Sequence, residues 1–312
     1  MSPPTHCVSR RAFIQTALSG LVIAHATPAR ASQPHARLIL LGTAGGPTPK
    51  PSRAAPANAI VIGDRTYVID CGNGVARQMA RAMLPFRSLR AVFVTHHHSD
   101  HNADFGNLFL LLWAGGLDQP VDAFGPPPLQ AMTTQFLALN AYDIATRIAD
   151  EGRPPLAPLV RAHDVDAPGE VYADARVRVR CALVQHPPVV PAFAFRFDTN
   201  DRSIVFSGDT APCESLIELA RDADVLVHEV MHEPSLDAIC ARLPNATRLR
   251  QHLLDSHTTQ EQVGTIAREA RVRTLVLTHF VPADTVAPQA WREAAARHFD
   301  GEIVVAEDLM EL

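Results

Sequence analysis

Thr95-His96-His97-His98-Ser99-Asp100-His101 follows directly on the apolar run Leu89 to Val94, and the fold is decided by how this stretch is read. The run has the length and content of a buried strand. Alternate side chains of an extended segment point to one side, so His96 and His98 can reach one ion together. Asp100 and His101, past a turn at Ser99, can serve a second. His97, squeezed between them, is expected to point away. Imidazole and carboxylate are the donors that a borderline divalent ion such as zinc takes. Packing explains four imidazoles in six residues poorly, because a strand end crowded with polar rings has no apolar neighbour to satisfy. The bland alternative is a solvent-facing His-rich loop. A metal-dependent hydrolase is the leading expectation.

The surrounding chain alternates strands and helices. Arg37 to Gly42, Asn58 to Ile62, Thr66 to Asp70, Ala91 to Thr95 and Val121 to Phe124 read as strands. Val75 to Leu84, Asn107 to Trp113 and Leu129 to Asn140, extended toward Ile148, read as helices. The proline-rich stretch 150–168 has the character of a connector that could rim a pocket. In the second half Val177 to Val184, Ala192 to Asp198, Ser203 to Ser207, Val225 to His228, Thr274 to Thr278 and Glu302 to Ala306 read as strands. Cys213 to Ala220, Thr259 to Ala270 and Pro288 to Phe299 read as helices. Two groups of strands with helices outside them suggest an α/β sandwich of two sheets covered by helices. Three of the later strands deliver a ligand-type side chain at their carboxyl ends: His186, Asp209 and His279. One such residue alone is weak, but together with the His96 to His101 run they complete two sites.

At 312 residues and 47% apolar, the chain can bury a full core in one large domain, or at most two. Its formal net charge is −5, and residues 1–31 carry Arg10, Arg11 and Arg30 with no acid, leaving the remainder near −8. That balance argues against a nucleic-acid partner, whose docking surface is basic. Lys50 is the only lysine, and nothing functional is drawn from it. Cys71, Cys181, Cys213 and Cys240 show no Cys-x-x-Cys spacing. Free thiols are expected, with one disulfide left open.

Ser9-Arg10-Arg11-Ala12-Phe13-Ile14 precedes a modestly apolar stretch, and Ala29-Arg30-Ala31 offers a small-x-small cleavage site. The segment 1–31 resembles a bacterial twin-arginine export signal. That resemblance implies the twin-arginine export machinery as a partner and a periplasmic location. The apolar run is too short and too interrupted for a membrane anchor. The mature domain is placed at 36–312, with a homodimer left open.

With these motifs in place, the chain resembles the metallo-β-lactamase superfamily. The resemblance rests on Ile69-Asp70-Cys71-Gly72, the His96 to His101 run, His186, Ser207-Gly208-Asp209-Thr210 and Leu277-Thr278-His279-Phe280. It implies an αββα four-layer sandwich, two mixed sheets flanked by helices. It also implies that His96, His98 and His186 hold one divalent ion, that Asp100, His101 and His279 hold another, and that Asp209 bridges both. Zinc is the default, and manganese or iron fits the same donors. In such a centre a bridging water loses its proton near neutral pH and attacks, while the ions polarise the attacked group. Asp100 could double as the acceptor that orients this water. Asp70 reads either as an acid orienting a ligand histidine or as a strand-end turn residue. His257 and Glu229 resemble the residues that stabilise the leaving group in the ribonuclease Z and arylsulfatase branches, although Ser256 to Thr259 also reads as a helix cap.

Within the superfamily the bridging Asp209 argues against a β-lactamase. Ribonuclease Z inserts a long tRNA-gripping arm between its third His and the bridging Asp, where this chain has only 22 residues. The arylsulfatase-like branch is therefore favoured, with hydrolysis of small sulfate or phosphate esters. A lactonase is the alternative, a ribonuclease Z-like phosphodiesterase ranks lower, and a metal-binding pseudoenzyme is the non-catalytic reading. A flavodiiron protein is disfavoured by His98, where that family places Glu. Trp113, Tyr142 and Phe280 are candidates for an apolar pocket receiving the alcohol portion.

Overall fold

The computed structural model describes residues 35–312; the expected export signal at 1–31 lies outside them. One mixed sheet is built from β1 (Ala36–Gly42), β2 (Ala57–Ile62), β3 (Arg65–Ile69), β4 (Leu89–Phe93), β5 (Val121–Gly125) and β6 (Val160–Asp164). The other contains β7 (Gly169–Ala173), β8 (Val177–Leu183), β9 (Phe193–Thr199), β10 (Ser203–Phe206), β11 (Val225–Met231), β12 (Thr274–Val281) and β13 (Glu302–Val305). A short β14 (Met310–Glu311) returns to flank β1, so each sheet has seven strands. Each sheet runs antiparallel in one half and parallel in the other, β3 to β6 and β10 to β13 being the parallel blocks.

Period-two alternation sorts the side chains. Leu38, Leu40, Ile60 and Phe93 point between the sheets, while Ile39, Leu41, Val61 and Val92 point to the opposite face. The inter-sheet layer is aromatic at its centre: Phe93 meets Phe195 and Phe197 edge-on at 5.5 and 5.0 Å. The outer face of the first sheet is covered by α1 (Val75–Arg81) and α3 (Phe105–Ala114), with the single turn α2 (Ser99–Asn102) before α3. The αββα expectation holds.

Several expected boundaries shift. Leu129 to Ile148 is two helices, α4 (Leu129–Leu139) and α5 (Ala141–Glu151), broken at Asn140. The stretch 150–168 is more than a connector: it contains edge strand β6, its Pro154 carbonyl accepts a hydrogen bond from Trp113 Nε1 at 2.9 Å, and Leu156 and Val160 line a small cavity. Beyond α6 (Glu214–Ala220), the unforeseen α7 (Leu236–Ala241) and α8 (Leu249–Ser256) lie between β11 and α9 (Gln262–Glu269). Thr259 and Gln262 cap α9 reciprocally. Helix α10 (Pro288–Ala296) packs beside it. All four cysteines in the described residues are free.

Asp174, in the β7–β8 turn, ties the two sheets together. It accepts hydrogen bonds from Arg65 Nη1 at 2.6 Å and Tyr67 Oη at 2.7 Å on β3, and from Tyr172 Oη at 3.0 Å on β7. Burial pushes this carboxyl up, but Tyr67, Arg65 and the Arg176 and Val177 amides hold it below the ordinary range. A depressed folded-state pKa stabilises above the unfolded value and is lost as pH falls through the folded one. Asp174→Asn should therefore cost about 1–3 kcal/mol at neutral pH, with a deficit that narrows in acid. Urea melts across pH would check this, and a deficit independent of pH would contradict it.

Candidate metal centre

The carboxyl ends of the parallel strands converge at one edge of the sandwich, the position where open α/β sheets bind ligands. Asp70 follows β3, the His96 to His101 run follows β4, and Asp209 follows β10. His279 arrives differently. Glu229 of β11 pairs with Thr278 and Val230 pairs with Phe280, so His279 is the extra residue of a β-bulge, with φ 48°. Such a bulge re-aims a side chain out of the ladder. Gly208 (φ 60°) is required in its turn because a Cβ there would meet the Phe193 carbonyl at 2.8 Å.

All seven residues expected to hold metal are brought together in two groups that share Asp209. His96, His98, His186 and Asp209 form one, and Asp100, His101, His279 and Asp209 the other. In the first, His96 Nε2 and His186 Nε2 lie 3.2 and 3.0 Å from His98 Nδ1. In the second, His101 Nε2 and His279 Nε2 are 3.2 Å apart, each 3.2–3.3 Å from an Asp209 oxygen. Asp100 Oδ2 sits 3.3 Å from His279 and 3.6 Å from His101. Four ligands tetrahedrally placed around zinc at about 2.0–2.1 Å stand roughly 3.3 Å from one another, so the donor set fits divalent ions.

The outward ring nitrogens of His96, His101 and His186 are committed elsewhere, which fixes the inward ones as donors, whereas the buried His279 Nδ1 has no partner among the described residues. His101 Nδ1 donates to Asp70 Oδ2 at 2.8 Å, and His186 Nδ1 donates to the Ser256 carbonyl at 2.9 Å. His96 Nδ1 lies 3.1 Å from Thr95 Oγ1, whose hydroxyl reaches Asp70 at 3.0 Å. Asp70 (φ 63°) thus takes the orienting position rather than a plain turn. His97 turns away, donating to the Pro126 carbonyl at 2.7 Å.

Electrostatics divides the rings. Burial and neighbouring imidazoles push His96 well down and His98 down to about 4, and burial lowers His186. These rings stay neutral, as ligation requires. Burial also opposes charge on His101 and His279, but the Asp209 and Asp100 carboxylates facing them push both upward. Carboxylates that favour a proton on these rings favour a divalent ion between them. Asp209 and Asp100 are buried, which raises a carboxyl, yet the imidazoles hold both below the ordinary range.

Glu229 lies behind Asp209 and accepts from the Thr210 amide at 2.9 Å and from His257 Nδ1 at 3.0 Å. Burial lowers the His257 ring, and Glu229 overrides it, raising the ring to about 9. Nδ1 is thereby occupied, and Nε2 is left for the pocket that His257 lines.

That pocket, about 500 Å³, has apolar walls from Ile239, Leu243, Leu249 and Leu253 of the α7–α8 segment and from Val281 and Pro282. Lys50, Arg242 and His252 also line it, and the sequence assigns none of them a functional role. The three aromatic candidates do not. Trp113 is buried under the 150–168 stretch, Tyr142 is 87% exposed on α5, and Phe280 is buried against Trp291. Sequence composition cannot separate a core aromatic from a pocket aromatic.

A family profile described as "Beta-lactamase superfamily domain" matches residues 65–280. A protein named Ribonuclease Z from Mycobacterium bovis (strain BCG / Pasteur 1173P2) is 35% identical over 278 residues, covering 87% of this chain and 96% of that one. Its namesake from Mycobacterium avium (strain 104) is 37% identical over 279 residues, with the same coverage. Among solved structures, human tRNase Z, short form, superposes with TM-score 0.65 at 21% identity, covering 88% of this chain and 98% of that one. The metallo-beta-lactamase fold protein YhfI from Bacillus subtilis gives 0.65 at 20%, covering 89% and 98%.

These relatives correct the expected partners. A small-ester substrate with no nucleic acid was inferred from net acidity and from the missing arm, but the relatives at 35–37% identity are named for a ribonuclease. Matches over 96% of their length leave the absence of a long arm unable to separate this chain from proteins of that name. The arylsulfatase-like branch finds no support among them. The chain belongs to the metallo-β-lactamase superfamily and is a homologue of proteins named Ribonuclease Z.

Proposed function

We propose that this protein is a metal-dependent phosphodiesterase that cleaves RNA. The observation that carries the reading is the pair of four-residue clusters sharing the buried Asp209, placed beside a pocket lined by His257, in a chain whose relatives at 35–37% identity are named Ribonuclease Z. Two divalent ions, zinc by the character of the donors, would supply Lewis acidity and an activated water there. The protein's own side chains do the positioning. Asp100 and Asp209 are carboxylates that line the pocket and could accept a proton there. Glu229 orients the His257 ring through Nδ1 and favours its protonated form, so that Nε2 would donate toward the departing oxygen. The apolar α7–α8 wall excludes water from one side. Nothing in this arrangement favours sulfate esters or lactones over phosphodiesters. The Arg10-Arg11 segment supports a periplasmic location, which N-terminal sequencing of protein from cell fractions would test; an intact N-terminus in the cytoplasm alone would count against it.

Zinc-reconstituted protein should hydrolyse bis(p-nitrophenyl) phosphate and single-stranded RNA and stop on chelation. Faster turnover of p-nitrophenyl sulfate or a lactone than of the diester would overturn the reading. Asp209→Ala should lose bound metal, read by elemental analysis, together with turnover. Retention of both ions would contradict the shared-carboxylate arrangement. His257→Ala should keep its metal and lower kcat about a hundredfold or more with little change in KM. A change confined to KM would assign His257 to binding instead.

A further inference from the structure

Helix α8 presents Leu249, His252 and Leu253, at i, i+3 and i+4, to the pocket beside the metal centre. The two leucines belong to its apolar wall. His252 stands where that wall meets the ligand clusters: its ring centroid lies 5.9 Å from those of His98 and His186 and 5.8 Å from that of His257. The side chain is half-buried, and neither the two clusters around Asp209 nor the Glu229–His257 pair makes use of it. Its hydrogen bonds fix what it can recognise. The Ser256 hydroxyl has one hydrogen and donates it to the Pro187 carbonyl at 2.5 Å. His252 Nδ1, 3.3 Å from Ser256 Oγ, is therefore the donor in their contact. A neutral imidazole with its proton on Nδ1 carries a bare lone pair on Nε2, and burial keeps this ring neutral. The pocket thus receives a donor from His257 and an acceptor from His252.

Position and chemistry together select one group on a substrate. In a nucleotide the sugar lies between the base and the phosphate. With the scissile phosphate at the ligand clusters and a base against Leu249 and Leu253, an apolar wall of the kind that takes flat ligands, the sugar comes to His252. Within a strand the 3′ and 5′ oxygens are esterified and the ring oxygen only accepts, so the one donor that a ribose offers is its 2′-hydroxyl. We infer that His252 Nε2 accepts the hydrogen bond of the 2′-hydroxyl on the ribose beside the scissile phosphate, and so makes the site prefer RNA to DNA. The inference rests on the RNA reading of the metal site and names the residue that makes that site selective.

The test uses zinc-loaded full-length protein and three dinucleotides, each with a single phosphodiester: uridylyl-uridine and the two analogues that lack the 2′-hydroxyl on one sugar or the other. Wild-type protein should cleave uridylyl-uridine with a kcat/KM at least about fivefold above that for one of the analogues. His252→Ala, its zinc content unchanged by elemental analysis, should bring that ratio to about one, and His252→Gln, which keeps an acceptor, should restore part of it. A ratio that persists in His252→Ala, loss of zinc from that variant, or equal cleavage of all three by the wild type would overturn the inference and leave the phosphodiesterase reading standing. Failure of the wild type to cleave any of the dinucleotides would overturn the RNA reading of the metal site and the inference with it.

Discussion

The carboxylate of Asp209 is 3% exposed at the seam between the two sheets, and the site is organised around that buried charge. An ionised carboxyl away from water is tolerated only when paired and hydrogen-bonded. His96, His101 and His279 face it, the first two from the run after β4 and the third from β12. Meeting that requirement puts two non-glycine residues, Asp70 and His279, at positive φ. Such conformations persist only where the surroundings over-determine them. Here the surroundings are rigid: the Phe93, Phe195 and Phe197 cluster locks the sheets together just below, and Glu229 and Thr210 brace the turn that carries Asp209.

What could be read from the sequence depended on whether the signal was local. The His96 to His101 spacing is intrinsic to an extended strand followed by one turn. His186 and Asp209 sit where apolar strands stop, which a linear pattern reveals. The bulge at His279 is invisible in sequence, but its residue is not. Edge strand β6 escaped notice because its residues are only half-buried or exposed, so no apolar alternation marks it. Helices α7 and α8 escaped because the intervening Arg242 to Arg248 is polar and carries Pro244. With them went the pocket wall and His252, whose ring centroid lies 5.9 Å from those of His98 and His186 through tertiary placement alone.

Net charge misled for a related reason. It averages over a surface, whereas a polyanion responds to the local field. Arginines such as Arg37, Arg180 and Arg271 are quenched by the carboxylates they face, leaving an acidic average that says little of any one patch. The length argument failed in the same way: an arm between His186 and Asp209 concerns how a large substrate is gripped, while the seven clustered side chains concern which bond is broken.

Those two questions separate further when the walls are considered. A cage of imidazoles and carboxylates polarises any tetrahedral or trigonal centre presented to it, so discrimination rests with the groups around it. On one side stand the leucines of α7 and α8, and on the other the cations of α1 and the β1–β2 loop. A sulfate ester or lactone has one charge or none and would leave the second side unanswered. A nucleic-acid strand carries a phosphate at every step and a flat apolar face on every base, and so has something to offer both walls at once.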